Sequence, residues 1–394
     1  MDHGYPRFTN DEFERRYEST KEMMDNIGVD VLLFFAFGGN NRNNMANIYY
    51  LTGYRDFNHA YLIFPRNEDP TLFVGLYNHL HNAQNQAVIK DVRHGGYGNP
   101  VNMADQLDKI GAGNQSIGIL GVNPRFGINL PYDHTVYLEE RFPEAKWKNA
   151  STEFRNLRLV KSKEELEWLQ EGCRLTDLSM KAVQEYARPG ITESELSARM
   201  GIEYKVEGGE QLVHFVTATP MDNPHTPLPW QNPTNRKLEA GDILLTEISA
   251  AFHGYAGQIL RPFTIGAEPT APYSTLFDAS IEVYDAVANV MKDGAGIGEI
   301  MDATDILPDK GYQIYDSLAH GFGVDLLQPS VGIRGSNYAK PPEDFIYKEN
   351  MTMVIQPNPM DEDGHGLQTG DFGVVTKEGF KSMHEFPREF FRCG

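Results

Sequence analysis

Cysteine is nearly absent. Cys173 and Cys393 are the only two in 394 residues, which excludes a disulfide framework and a thiolate zinc site. No apolar run approaches the roughly 18 residues that a membrane span needs, and no long low-complexity or linker stretch interrupts the chain. Basic residues are outnumbered: Lys and Arg total 35 against 55 Asp and Glu, a formal charge of −20. Such a surface repels phosphate backbones, so nucleic acid is excluded as a partner. The first residues, MDHGYPRFTNDEFERRYEST, lack a basic stretch followed by an apolar one. No secretory signal is therefore expected, and the chain is placed in the cytoplasm without a membrane partner.

What is present fits a globular protein of more than one lobe. Hydrophobic residues make up 40%, aromatics 11% and charged residues 23%, and the length exceeds what one core usually serves. Between Thr9 and Ala150, apolar runs such as VDVLLFFAF, HAYLIFP, TLFVGL and QSIGILGV alternate with polar helical segments, the pattern of an α/β lobe. A second region opens with SKEELEWLQEGCRLTDLSMKAVQEYARPG, where Ser162 and Glu165 form a capping box. Leu169, Cys173, Met180, Val183 and Ala187 share one face there, which makes Cys173 a buried structural thiol. Thr192 and Glu195 form a second capping box, and a similar helical unit returns around NVMKDGAGIGEIMDA. Each helical unit precedes a hairpin, GDILLTEIS with GQILRPFTIG and MTMVIQP with GDFGVVTKEGF, so a pseudo-twofold pair of units is expected around one pocket.

The hairpin LLTEISAAFHGYAGQILRPF poses a chemical question. Its turn falls at His253-Gly254, and a turn centred near Phe252 and His253 sets the Glu247 carboxyl opposite the Gln258 amide.

The ordered set ANIYYLTGY, LVKSKEELEWL, AGDILLTEIS, GYAGQILRPFTIG, HGFG, VIQPNP and LQTGDFGVVTKEG resembles the pita-bread superfamily of methionine aminopeptidase, aminopeptidase P, prolidase and creatinase. The resemblance covers nearly the whole chain. It implies a mixed α/β (α+β) fold with a creatinase-type N-terminal domain over 1–155 and a pita-bread catalytic domain over 156–394. Metallopeptidases of that family hold two divalent ions through two Asp, one His and two Glu. Those positions fall here on Glu247, Gln258, His320, Gln356 and Gly370. Two dications want hard anionic oxygens, and this set keeps one anion, so neither a dinuclear site nor any cofactor is expected. Asp371 adjoins the last position, but strand alternation points it to the opposite face.

Resemblance to creatinase, the family's metal-free hydrolase, implies further roles. Its catalytic His lies on the loop that here reads MDNPHTPLPWQNPTNRKLEAGD; His225 is displaced from that slot by a few residues and Trp230 occupies it. Its substrate-gripping Phe and Arg, contributed by the partner subunit, fall on Phe57 and His59. Its guanidinium-binding positions fall on Leu120, Leu260 and Gln356, which argues against creatine. Arg334 is set against its carboxylate-binding Arg, and the peptidases' second pocket His falls on Leu327. These correspondences lead to the expectation of a metal-independent hydrolase that cleaves a C–N bond in a small polar compound. His320 or His225 would act as acid or base, with Glu247 orienting it, and Gln258 and Gln356 would donate to an oxyanion. A homodimer is implied, with Phe57 and His59 closing the partner's site. A metal-dependent Xaa-Pro dipeptidase, a lyase or decarboxylase, and a non-catalytic binding protein on the same fold remain the alternatives.

Overall fold

A computed structural model of the chain describes residues 5–39, 42–96, 99–121, 130–336 and 342–394. It divides into two compact units, Met1–Arg158 and Leu159–Gly394; the boundary expected from the sequence lay after residue 155.

The first unit is a six-stranded mixed sheet with helices packed on it. Val31–Phe37 lies near its middle, antiparallel to His59–Pro65 and parallel to Ser116–Leu120. The run VLLFFAF is apolar throughout because both faces are covered: Leu32 and Phe34 face one apolar cluster, Val31 and Leu33 another.

The second unit is built on a ten-stranded curved sheet. Helix Lys163–Tyr186 starts at the expected Ser162–Glu165 capping box, and helix Glu193–Lys205 at Thr192–Glu195. In the first of these, Leu169, Cys173, Thr176, Met180 and Val183 repeat at three- and four-residue spacing and are buried. Gly172 lets this helix touch the sheet, since a Cβ there would lie 2.4 Å from the Tyr255 carbonyl oxygen.

The hairpin of Asp242–Phe252 with Tyr255–Ala256 and Ile259–Ile265 turns through His253 and Gly254, with φ of 45° and 87°. Two consecutive positive φ values mark the tight turn whose twist matches a right-handed hairpin. Because these two residues are the central pair, Glu247 stands opposite Leu260, not Gln258. The expected pairing is off by two residues; Gln258 becomes a diagonal neighbour on the same face.

Register then sorts the side chains. Phe215, Glu247, Leu260 and Gly370 lie in one row across four strands. Ile248, Ile259, Asp371, Ile355 and Ala319 form the next. Alternation puts the first row on one face with Gln258 and His320, and the second row on the other. Asp371 therefore faces away from Glu247, as the strand pattern requires. There it meets Arg261 at 2.7 Å, with both side chains buried.

All five Arg261 N–H groups are used. They reach Asp371, the carbonyl oxygens of Leu260 and Gly370 within the sheet, and those of Phe386 and Pro387 beyond it. Burial alone would raise the Asp371 pKa, but Arg261, His384 and Arg388 outweigh it and hold the carboxyl down to about 2. Arg261→Ala would leave this buried carboxylate with only Arg388 at 3.4 Å and the Tyr284 hydroxyl at 3.1 Å, and is expected to cost about 3 kcal/mol by denaturant unfolding. A depressed folded-state pKa stabilises above the unfolded value of roughly 4 and loses that stabilisation as pH falls through about 2. Asp371→Asn should therefore be less stable near neutral pH, with the difference from the parent shrinking as pH falls toward about 2, and its acid-unfolding midpoint should move upward; equal stability at pH 7 and an unchanged midpoint would mean that the pair contributes nothing.

Candidate active site

The site face carries an amide network. Gln258 Nε2 donates to Glu247 Oε1 at 2.9 Å and to Gln356 Oε1 at 3.2 Å. Gln356 Nε2 in turn donates to Asp316 Oδ2 at 3.2 Å and to the Ser317 carbonyl at 2.9 Å. Each nitrogen faces acceptors only, so the partners fix the orientation of both amides. Asn358 anchors the far end: its Oδ1 accepts the backbone N–H groups of Tyr315 and Asp316, and its Nδ2 donates to the carbonyls of Ser317 and Gln356. Gln258, Gln356 and Asn358 are buried, whereas Glu247 and Asp316 remain partly open to solvent.

Glu247 is the group whose chemistry departs most from the ordinary. Burial, and then the neighbouring Asp316 charge, push its pKa up to about 8, with the Gln368 amide pulling the other way. It carries a proton at neutral pH.

Of the residues singled out from the sequence, Glu247, Gln258 and Gln356 are brought into direct contact. His320 lies on the same face, two rows from Glu247; its Nδ1 is 3.2 Å from the Gly321 carbonyl and its ring meets Phe322 edge-on. His225 is exposed, with Nδ1 3.1 Å from Thr219 Oγ1, and none of its hydrogen bonds reaches the network. Trp230 sits beside it, 45% exposed, with Nε1 donating to Thr226. Arg334 is an exposed loop cation paired with Asp302 and Asp305 of the adjoining helical segment, and neither pair belongs to the network. Phe57, exposed, and His59, bonded to Asn58, belong to the first unit.

Sequence reasoning missed Asp316, Gln368, Asn358 and His384. Strand alternation could have found Gln368, two residues before Gly370. Nothing local pointed to His384, which lies behind the site, its Nδ1 2.7 Å from Asp177 Oδ1 and its Nε2 2.9 Å from the Gln258 carbonyl. Burial opposes its charge, but Cys173 and Asp177 outweigh burial and hold its pKa well above the usual range.

Among the described residues, the group of His, Cys, Asp and Glu spaced to share an ion is Asp361, Asp363 and His365. Asp361 is already engaged there by the loop's own backbone and by His365.

Position 370 is closed to any side chain. A Cβ on Gly370 would lie 2.2 Å from the Ile355 carbonyl oxygen and 2.7 Å from the Gln356 Cα.

Sequence comparison now assigns the family. Residues 167–377 match the family described as Metallopeptidase family M24, and residues 16–160 match the Creatinase/Prolidase N-terminal domain. The chain belongs to metallopeptidase family M24. It is 23% identical to the Xaa-Pro dipeptidase of Pyrococcus furiosus, over 95% of this chain and 99% of that one. To the Xaa-Pro dipeptidase of Lactobacillus helveticus it is 27% identical, over 65% and 68%. The X-Pro aminopeptidase of Thermotoga maritima superposes with a TM-score of 0.80 at 18% identity, covering 95% and 99%. The prolidase of Pyrococcus horikoshii superposes with 0.78 at 21%, with the same coverage. The fold is thus the creatinase-type N-terminal domain followed by the pita-bread domain.

These relatives overturn the expectation of a metal-independent, creatinase-like hydrolase of a small polar C–N compound. The expectation rested on replaced residues at the floor of the site.

Two outcomes test the geometry. Gly370→Ala should lose at least about 2 kcal/mol of stability, as an overpacked backbone contact does. Glu247→Gln should raise the melting temperature at pH 7–8. A raised carboxyl pKa favours folding fully below the unfolded value and loses that contribution as pH rises through about 8, and the amide has no proton to take up on folding.

Proposed function

We propose that this M24 protein hydrolyses short peptides, with the Xaa-Pro dipeptides named for its relatives as the substrate class. The observation that carries the reading is that likeness to those dipeptidases runs through both domains while Glu247, Gln258, Gln356 and His320 share one face.

The family's name implies metal ions, and the residues at this face do not suit a pair of them. Gln258 turns an N–H toward Glu247 where a ligand oxygen would be needed, and the strands at Gly370 close the place of another ligand. Water would add to the scissile carbonyl carbon as the C–N bond breaks; Glu247, protonated at neutral pH and within the network, would supply a proton to the leaving amine nitrogen and recover one from that water. His320 would orient or polarise the scissile group, and Gln258 and Gln356 would fix Glu247 in place. A homodimer with Phe57 and His59 facing the partner's site belongs to the same reading.

Incubation with a panel of Xaa-Pro dipeptides, before and after chelation and after addition of manganese or zinc, should release free proline. In Glu247→Gln the rate should fall by about 10²-fold. Absence of proline from every dipeptide in every metal state would refute the reading. The crowded Gly370 position favours one second reading, a dipeptide-binding protein that leaves its ligand unchanged; calorimetric binding without turnover would establish it.

A further inference from the structure

Resting on that reading, the geometry behind the site shows what holds its acid in place. The hairpin ladder is interrupted between Tyr255–Ala256 and Ile259–Ile265, at Gly257 and Gln258. A Cβ on Gly257 would lie 2.7 Å from the Cys173 Cα, so the helix Lys163–Tyr186 presses on the chain at this point. One turn along that helix, Asp177 reaches the last segment of the chain. Its Oδ1 faces His384 Nδ1 at 2.7 Å, and its Oδ2 accepts the backbone N–H groups of Glu385 and Phe386 at 2.8 and 3.3 Å.

Across the ring, His384 Nε2 lies 2.9 Å from the Gln258 carbonyl oxygen, which also accepts the Phe372 N–H at 2.8 Å. The Gln258 backbone, left between two pieces of ladder, is thus held by two donors. Both His384 nitrogens face acceptors, so each carries a proton and the ring is an imidazolium; its side chain is 0% exposed. On the other side of the same residue, Gln258 Nε2 donates to Glu247 Oε1 and to Gln356 Oε1. An oxygen that accepts this N–H is the carbonyl oxygen of the carboxylic acid, which leaves Oε2 of Glu247 to carry the acid proton.

We propose that His384 is a positioning residue for the hydrolysis: held by Asp177, it fixes the Gln258 backbone so that the Gln258 amide occupies Glu247 Oε1 and the proton destined for the leaving nitrogen stays on Oε2. Among the described residues His384 bonds no side chain of the site face, so it acts through the Gln258 backbone. A Gln258 free to shift loses its bond to Oε1, and the acid proton is then no longer confined to Oε2. Displacing a group by about 1 Å in this way is enough to slow a reaction by about 10²-fold.

Two double variants of the full-length protein, both without the buried ion pair, isolate the bond. In Asp177→Asn/His384→Gln the two amides relay a donor to the Gln258 carbonyl; in Asp177→Asn/His384→Leu that donor is gone. With alanyl-proline as substrate, kcat of the Leu variant should fall at least about tenfold below that of the Gln variant, while KM stays within about threefold. Exchange of the Gln258 side-chain amide protons, followed by NMR and assigned by their loss in Gln258→Leu, should be at least about tenfold faster in the Leu variant. Circular dichroism checks that both are folded; Asp177→Asn/His384→Asn, one methylene too short to reach the carbonyl, gives the same comparison where the Leu variant does not fold. Equal kcat and equal exchange in the two variants would overturn the positioning role, whether or not both are slower than the parent. No proline released by the parent would refute the peptide reading instead, and the exchange comparison would then decide alone whether His384 positions the network, a difference supporting it and equality overturning it.

Discussion

The buried pairing of Arg261 with Asp371 sets the geometry on which the rest of the second unit depends. Four guanidinium donors tie the strand Ile259–Ile265 to the Gly370 strand and to the Phe386–Pro387 segment, and the fifth bonds Leu260 of its own strand. That clamp acts on the far face of the sheet. On the near face its consequence is close approach: Gly370 lies against Ile355 and Gln356 with no room for a Cβ. An ion pair this deep is weak evidence for net stability, because desolvation offsets much of the attraction. Its role is to fix register, and register decides which residues meet.

Once those strands are fixed, Gln258 bridges Glu247 and Gln356, and Gln356 passes the chain on to Asp316. Two carboxyls thus sit at the ends of a neutral bridge. Their repulsion, added to burial, keeps a proton on Glu247. Behind the bridge, charged His384 links Asp177 to the Gln258 carbonyl. The position of Gln258 is therefore set from both faces.

Much of this was legible in the sequence. Both capping boxes, the apolar stripe of the helix Lys163–Tyr186, the buried thiol of Cys173 and the outward turn of Asp371 follow from local periodicity and side-chain chemistry. The fold class followed from motif order. The hairpin register was missed because one sequence allows several turn centres, and the positive φ of His253 is a backbone choice that composition does not encode. Asp316, Asn358 and His384 escaped because they reach the site from three separate segments, and only the folded sheet brings them together. Arg334 was misplaced for the converse reason: alignment to a distant relative ignored two nearby acids, Asp302 and Asp305, that claim it. The substrate was misjudged because a few altered floor residues were given more weight than the surrounding domain.

The account turns on Glu247 being a carboxylic acid at neutral pH within an amide network. The most direct measurement is a carbon-13 NMR titration of side-chain carboxyl resonances, with the Glu247 signal assigned by its loss in Glu247→Gln. A midpoint near 8 is the result the structure requires. A midpoint in the ordinary carboxylate range near 4 would mean that Glu247 is a solvated anion, and the network described here would not govern its chemistry.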